Sequence, residues 1–228
     1  MERTSRDLKE VIKIGRILLR TGLVLGTWGN ISIRAPGRQG FFITPSGVPY
    51  SEMRPQDLVF VDFTGKKREG KMRPSTETPL HAAIYLARQD VHGIIHTHSP
   101  FSSVFAVNRM EIPPVLEEVA QIIGGSVRVA PYAPPGSGEL AEAAVSALEG
   151  RTAVLLANHG LVGVGSSLKE ALLVCQVVEK AAQVFLWAKL SGAPCLLAET
   201  EVQRLRENFI KNYGQRPGGE DDEREDFN

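Results

Sequence analysis

The chain has 228 residues, enough for one large domain or two small ones with a substantial buried core. Lys plus Arg and Asp plus Glu each number 26, so the formal net charge is zero with His neutral. Nucleic acid and anionic membrane call for a basic excess and are set aside as partners, whereas a small anion needs only local donors.

Cys175 and Cys195 lack Cys-x-x-Cys spacing and read as buried or half-buried free thiols of a reducing compartment. Met1 to Asp7 has no apolar signal core, and no apolar run approaches the ~20 residues of a bilayer span. The expectation is a soluble, cytoplasmic protein.

Leu8, Val11, Ile12, Ile14, Leu18 and Leu19 recur at helical spacing and predict a helix from Ser5 to Arg20, ended near Gly22. Asn30–Arg34 and Gly40–Thr44, joined by a Pro-Gly turn, read as a hairpin. Asp57–Phe63 reads as a strand, followed by the turn Thr64-Gly65-Lys66. A helix is expected from Glu77 to Arg88, then a strand ending in His96-Thr97-His98. Ser99-Pro100 reads as the capped start of a further helix. A strand at Ser126–Ala130, a helix at Ser137–Leu148 and paired strands at Val154–Ala157 and Leu161–Val164 come next. A long apolar helix, Leu168–Leu190, and a last one from Glu199 to Tyr213 complete the order. The early hairpins are antiparallel by construction. The pattern therefore predicts an α/β fold: a single three-layer domain, residues 1–213, with a central mixed, mainly antiparallel sheet flanked by helices. Residues 214–228 form an acidic tail, expected to be disordered.

Three histidines and one glutamate carry the chemistry. Residues two apart on a strand share a face, so His96 and His98 can grip one ion together. His159 ends a second apolar run and is followed by Gly160, and Glu77 heads a helix. Three imidazoles and a carboxylate suit tetrahedral zinc, although Mn²⁺, Co²⁺ and Fe²⁺ have overlapping preferences. His81 shares a helix face with Glu77 and could hydrogen-bond to the site, with packing on the helix the stronger reading; His92 reads as solvated. Gly26–Asn30, Thr44–Gly47 and Ser75-Thr76 offer hydroxyls, glycines and a helix N-terminus, the makings of an anion pocket, though each alone is an ordinary turn. Trp28 reads as core or interface packing. The long helix is apolar on more than one face, which suggests burial partly by a neighbouring subunit.

These segments, in this order, resemble the class II aldolase/adducin family. Gly26-Thr27-Trp28-Gly29-Asn30, Ile43-Thr44-Pro45-Ser46-Gly47, Pro74-Ser75-Thr76-Glu77, His96-Thr97-His98 and Asn158-His159-Gly160 carry the resemblance. It implies that His96, His98, His159 and Glu77 are zinc ligands, with Glu77 also able to leave the metal and act as base. It implies that Asn30, Thr44, Gly47, Ser75 and Thr76 hold a substrate phosphate. Tyr213 matches a C-terminal tyrosine that reaches a neighbour's site as a proton donor, and the family's cyclic tetramers with sites between subunits imply a homotetramer here. One position departs: the family's aldolases carry a second active-site tyrosine a short way before a Gly-Gly pair. Counting back from Gly124-Gly125, this chain has Glu118, with Glu117 beside it. These two also read as solvated charges opening a helix.

The resemblance implies a zinc-dependent aldolase (an aldehyde-lyase) that cleaves a ketose 1-phosphate, such as L-fuculose 1-phosphate, to dihydroxyacetone phosphate and an aldehyde. Cleavage beside a carbonyl leaves an enediolate, which a Lewis-acidic metal can hold. The alternative is an epimerase, dehydratase or decarboxylase of the same family using Glu118, as a dehydratase relative places a catalytic glutamate in this region. A non-catalytic, metal-stabilised scaffold is the third possibility.

Overall fold

In the computed structural model, residues 2–213 are described. The expected acidic tail, 214–228, lies outside the described residues. One eight-stranded sheet runs β4-β3-β2-β1-β5-β8-β7-β6, built from β1 (Asn30–Arg34), β2 (Gly40–Ile43), β3 (Val59–Asp62), β4 (Lys67–Glu69), β5 (Gly93–Thr97), β6 (Arg128–Ala130), β7 (Ala153–Leu156) and β8 (Gly160–Gly165). Every neighbouring pair is antiparallel except β6 and β7, which run parallel. The expected mixed, mainly antiparallel sheet is what the chain forms.

Helices cover both faces. α1 (Glu2–Arg20), α3 (Pro100–Asn108) and α5 (Leu168–Ser191) pack on one; α2 (Thr78–Ala87) and α4 (Gly138–Ala147) pack on the other. Side chains on a strand alternate between faces. Ile95 and Leu161 accordingly join the first core, and Ile94, Val162 and Val164 the second. Covered on both sides, β5 and β8 are buried throughout. α6 (Glu199–Asn212) packs Val202 and Leu205 against Ala120 in a π-helical turn, Val119–Ile123.

Four local expectations need correction. β4, unforeseen, is all charge (Lys67-Arg68-Glu69) and exposed; an edge strand of this kind has no apolar alternation to reveal it. The strand expected at Asp57–Phe63 is shorter, because Pro55–Asp57 makes a 3₁₀ turn. Ser99 starts α3, but its side chain makes no cap bond. Glu179 of α5 does so instead, accepting from Phe101 N (2.8 Å), Ser102 N (2.8 Å) and Ser102 Oγ (2.7 Å). Cys195 is exposed, not buried, whereas Cys175 is fully buried.

α5 also has the length and apolar content of a bilayer span, which the reading by apolar runs did not register. Its Ala171, Val174, Cys175, Val178, Ala181 and Ala182 are spent on the core. Leu173, Val184, Trp187 and Leu190 remain exposed.

A candidate metal centre beside a polar cleft

Strand periodicity builds the centre. Asn30 and Ser32 on β1 pair with His96 and Ile94 on β5, so all four project to the α2 side. His98 follows one residue past the strand. His159 comes from the β7–β8 connection, a short loop in which Asn158 adopts a left-handed backbone (φ 55°) and His159 N donates to Leu156 O (3.0 Å). Glu77, directly before α2, closes the group from above the sheet.

Two glycines make this convergence possible. A Cβ on Gly160 would collide with Thr97 O and press on the rings of His96 and His98 at 3.2 Å. Gly29 has φ +83° and lies so near His96 that a Cβ would be 2.6 Å from its carbonyl oxygen.

Three ring nitrogens face one another: His96 Nε2 lies 2.9 Å from His98 Nε2 and 3.3 Å from His159 Nε2. His96 Nδ1 donates to Leu161 O (3.0 Å), which leaves the lone pair on Nε2. The candidate ligand atoms of the three histidines all lie within 4.8 Å of one another. Glu77 stands beside two of them, Oε2 at 3.0 Å from His96 Nε2 and Oε1 at 3.4 Å from His159 Nε2. Glu77 Oε1 is buried and has no hydrogen-bond partner. Converging lone pairs and an orphaned buried carboxylate oxygen both cost free energy, and a divalent cation relieves both. The donor set therefore fits a metal.

Electrostatics agree. Burial, then the neighbouring His96 and His159, pushes the His98 imidazole down to about 3. Burial and His96 lower His159 to about 4. Both rings are neutral near pH 7, the form that binds metal. Burial alone would raise the Glu77 carboxyl, but contact with His96, then with His159 and the Asn30 amide, outweighs it and holds it well below the usual carboxylate range.

A cleft of about 460 Å³ opens beside the histidines. Asn30, Gly47, Ser75, Thr76, Glu77, His98 and His159 line it, so the cleft brings these sequence-predicted residues together. His96 is fully buried at its base. Thr44 stands behind the wall: its hydroxyl accepts from Ile31 N (3.1 Å) and its carbonyl from Ser75 N (3.1 Å). Ser75 Oγ accepts from Glu77 N (3.2 Å), and Ser75-Thr76 lead into the N-terminus of α2. Trp28 is 65% exposed at the rim, its ring 5.6 Å from that of His98, rather than packed in the core.

Glu118 and Tyr213 are not among the residues lining this cleft. Glu118 pairs with Lys180 at 2.5 Å, and Tyr213, at the end of α6, borders a separate groove with Arg206 and Phe209. Pro135 and Asn158, which do line the cleft, were not singled out as site residues from the sequence. Pro135 stands in a Pro-Pro-Gly run that marks a turn and no chemistry, and Asn158 enters the sequence reading only within the motif around His159.

Known proteins place this geometry. The pattern of the Class II Aldolase and Adducin N-terminal domain matches residues 9–186. The 5-deoxy-D-ribulose 1-phosphate aldolase of Bacillus thuringiensis is 37% identical over 211 residues, 92% of this chain and 98% of that protein. A 5-methylthioribulose-1-phosphate/5-deoxyribulose-1-phosphate aldolase of Rhodospirillum rubrum is 39% identical, over 90% of each chain. A solved structure of an L-fuculose 1-phosphate aldolase superposes with TM-score 0.88 at 38% identity, covering 90% of this chain and 97% of that one. The chain belongs to the class II aldolase/adducin family.

Proposed function

We propose that the protein is a zinc-dependent aldolase that cleaves a ketose 1-phosphate to dihydroxyacetone phosphate and a short aldehyde. As a class II aldolase it is a carbon–carbon lyase acting on a sugar 1-phosphate, the chemistry its relatives are named for. The observation that carries the finer reading is the convergence of three imidazole nitrogens and the Glu77 carboxylate beside a cleft lined by Asn30, Gly47, Ser75 and Thr76.

His96, His98, His159 and Glu77 would hold the metal. Zinc is favoured by a donor set of neutral imidazoles with one carboxylate. When bound, it supplies Lewis-acid stabilisation for the negative charge that cleavage beside a carbonyl leaves. The chain's own residues do the rest. Ser75, Thr76, Gly47 and Asn30, backed by Thr44, form the phosphate cradle, helped by the N-terminus of α2. Phosphate binding holds the scissile bond in place, and remote binding of this kind is expressed as rate. Glu77, ionised beside the cleft, is the carboxylate placed to take and return a proton.

Tyr213 is assigned to a neighbouring subunit's site as proton donor. Support comes from its 76% exposure at the end of α6, away from its own cleft. With the exposed apolar face of α5, this favours a homotetramer with shared sites. Free Cys175 and Cys195 suit a cytoplasmic enzyme. The alternative of epimerase, dehydratase or decarboxylase chemistry through Glu118 draws no support from its pairing with Lys180 outside the cleft.

The test is to incubate the zinc-loaded protein with 1-phosphates of L-fuculose, 5-deoxyribulose and 5-methylthioribulose and to identify the products. Dihydroxyacetone phosphate with a matching aldehyde is expected. Consumption that yields only an epimer or a dehydrated sugar phosphate would overturn cleavage in favour of the alternative.

A further inference from the structure

Behind Glu77 lies a buried row of polar side chains that, Asn30 apart, neither the ligand set nor the phosphate cradle uses. Tyr85 OH is 2.9 Å from Ser32 Oγ, which is 2.6 Å from His81 Nδ1. His81 Nε2 is 2.5 Å from Asn30 Oδ1, and Asn30 Nδ2 donates to Glu77 Oε2 at 3.4 Å. Ser32, His81 and Tyr85 are wholly buried, and Asn30 is 5% exposed. A row so deep holds only if each donor meets an acceptor.

The row can be polarised in two ways. In one, the Asn30 amide presents its NH₂ to Glu77 and its oxygen to His81, so His81 must carry its proton on Nε2. His81 Nδ1 is then the acceptor, and Ser32 must donate to it. In the other, the amide is flipped, its oxygen faces the Glu77 carboxylate, and two acceptors meet. Only the first suits an ionised Glu77. An amide alone does not choose between its two edges; its partner chooses. His81 is that partner: with Ser32 donating to its Nδ1, it presents an Nε2–H to Asn30 Oδ1.

We propose that His81 is a positioning residue for Glu77: acting through Asn30, and backed by Ser32 and Tyr85, it fixes which edge of the amide the carboxylate meets. This rests on the reading above that Glu77 serves the metal and the proton. His81 touches neither substrate nor metal in this scheme. Groups that orient metal ligands from behind change metal affinity or activity by about 10–100-fold when removed.

The experiment compares His81→Leu and His81→Gln with the unaltered protein. Its readouts are zinc affinity by chelator competition and kcat and KM for ketose 1-phosphate cleavage. For His81→Leu a fall in both zinc affinity and kcat of about 10–100-fold is expected, with KM little changed. Gln carries one donor and one acceptor edge, so His81→Gln should recover most of both losses. In an Asn30→Ala background, His81→Leu should cost no further zinc affinity, since the effect runs through the amide. Unaltered zinc affinity in His81→Leu, no recovery by His81→Gln, or an equal further loss without Asn30 would each overturn the proposal. Should His81→Leu not fold, Ser32→Ala is measured instead: weakened zinc binding upholds the proposal and unaltered binding overturns it. If the unaltered protein cleaves no ketose 1-phosphate, the proposed function fails, while the zinc measurements alone still decide the role of His81.

Discussion

At Glu77, the cost of burying a carboxylate is offset by its surroundings. Only 4% of the residue is exposed, yet the nearby imidazoles and the Asn30 amide keep it ionised. Replacing it by Gln keeps the shape and removes the charge. Glu77→Gln is expected to lower kcat by about 10²–10⁴-fold, the usual worth of a positioned general base. Steady-state kinetics check this; a variant with unaltered kcat would take the proton-transfer role from Glu77. The residue's candidacy was legible in the sequence, as were His96, His98 and His159. Strand periodicity and position ahead of a helix are local properties, and they determine where these side chains point. The part proposed for His81 was only half legible: a hydrogen bond to the site was one reading, but the residues that would carry it were not foreseen. Its partners Ser32 and Asn30 are 49 and 51 residues away along the chain, so packing within the helix layer was the natural reading.

Among the elements, the β7–β8 hairpin matters most to the site, because it delivers His159 against the end of β5. Gly160 stands where the strands touch. Gly160→Ala would overpack this contact, at a cost of about 1–3 kcal/mol. Thermal denaturation should show Tm lower by roughly 2–4 °C for each kcal/mol. A variant with unaltered Tm would mean that the two strands can part without penalty. Long, periodic elements were readable: β1, β2, β5, β8, α1, α4 and α5 lie close to where the apolar pattern predicted them. Short or charged ones were not. β4 has no apolar residue, and the Val119–Ile123 turn is defined by α6 packing on it from about 80 residues away. The cap on α3 escaped for the same reason: Glu179 supplies it from α5, although a serine sits at the start of the helix.

At the scale of the molecule, the alternation of strands with helices was enough to foresee three layers. Their order was not, since which strands neighbour one another depends on contacts across the whole chain. Exposed Leu173, Val184, Trp187 and Leu190 along α5, and Tyr213 beyond the cleft, motivate the expectation of a homotetramer. Sedimentation equilibrium should return four times the 24.9 kDa chain mass. A monomer that is fully active at the same concentration would rule out a Tyr213 contribution from a neighbour. The central claim is that His96, His98 and His159, with Glu77, hold one divalent metal on which activity depends. Metal analysis after purification, paired with turnover before and after chelation, tests it most directly. The account predicts one zinc per chain, loss of sugar-phosphate cleavage on chelation, recovery on adding zinc back, and neither zinc nor activity in His159→Ala. Full cleavage by protein stripped of metal, or zinc retained undiminished in His159→Ala, would contradict it.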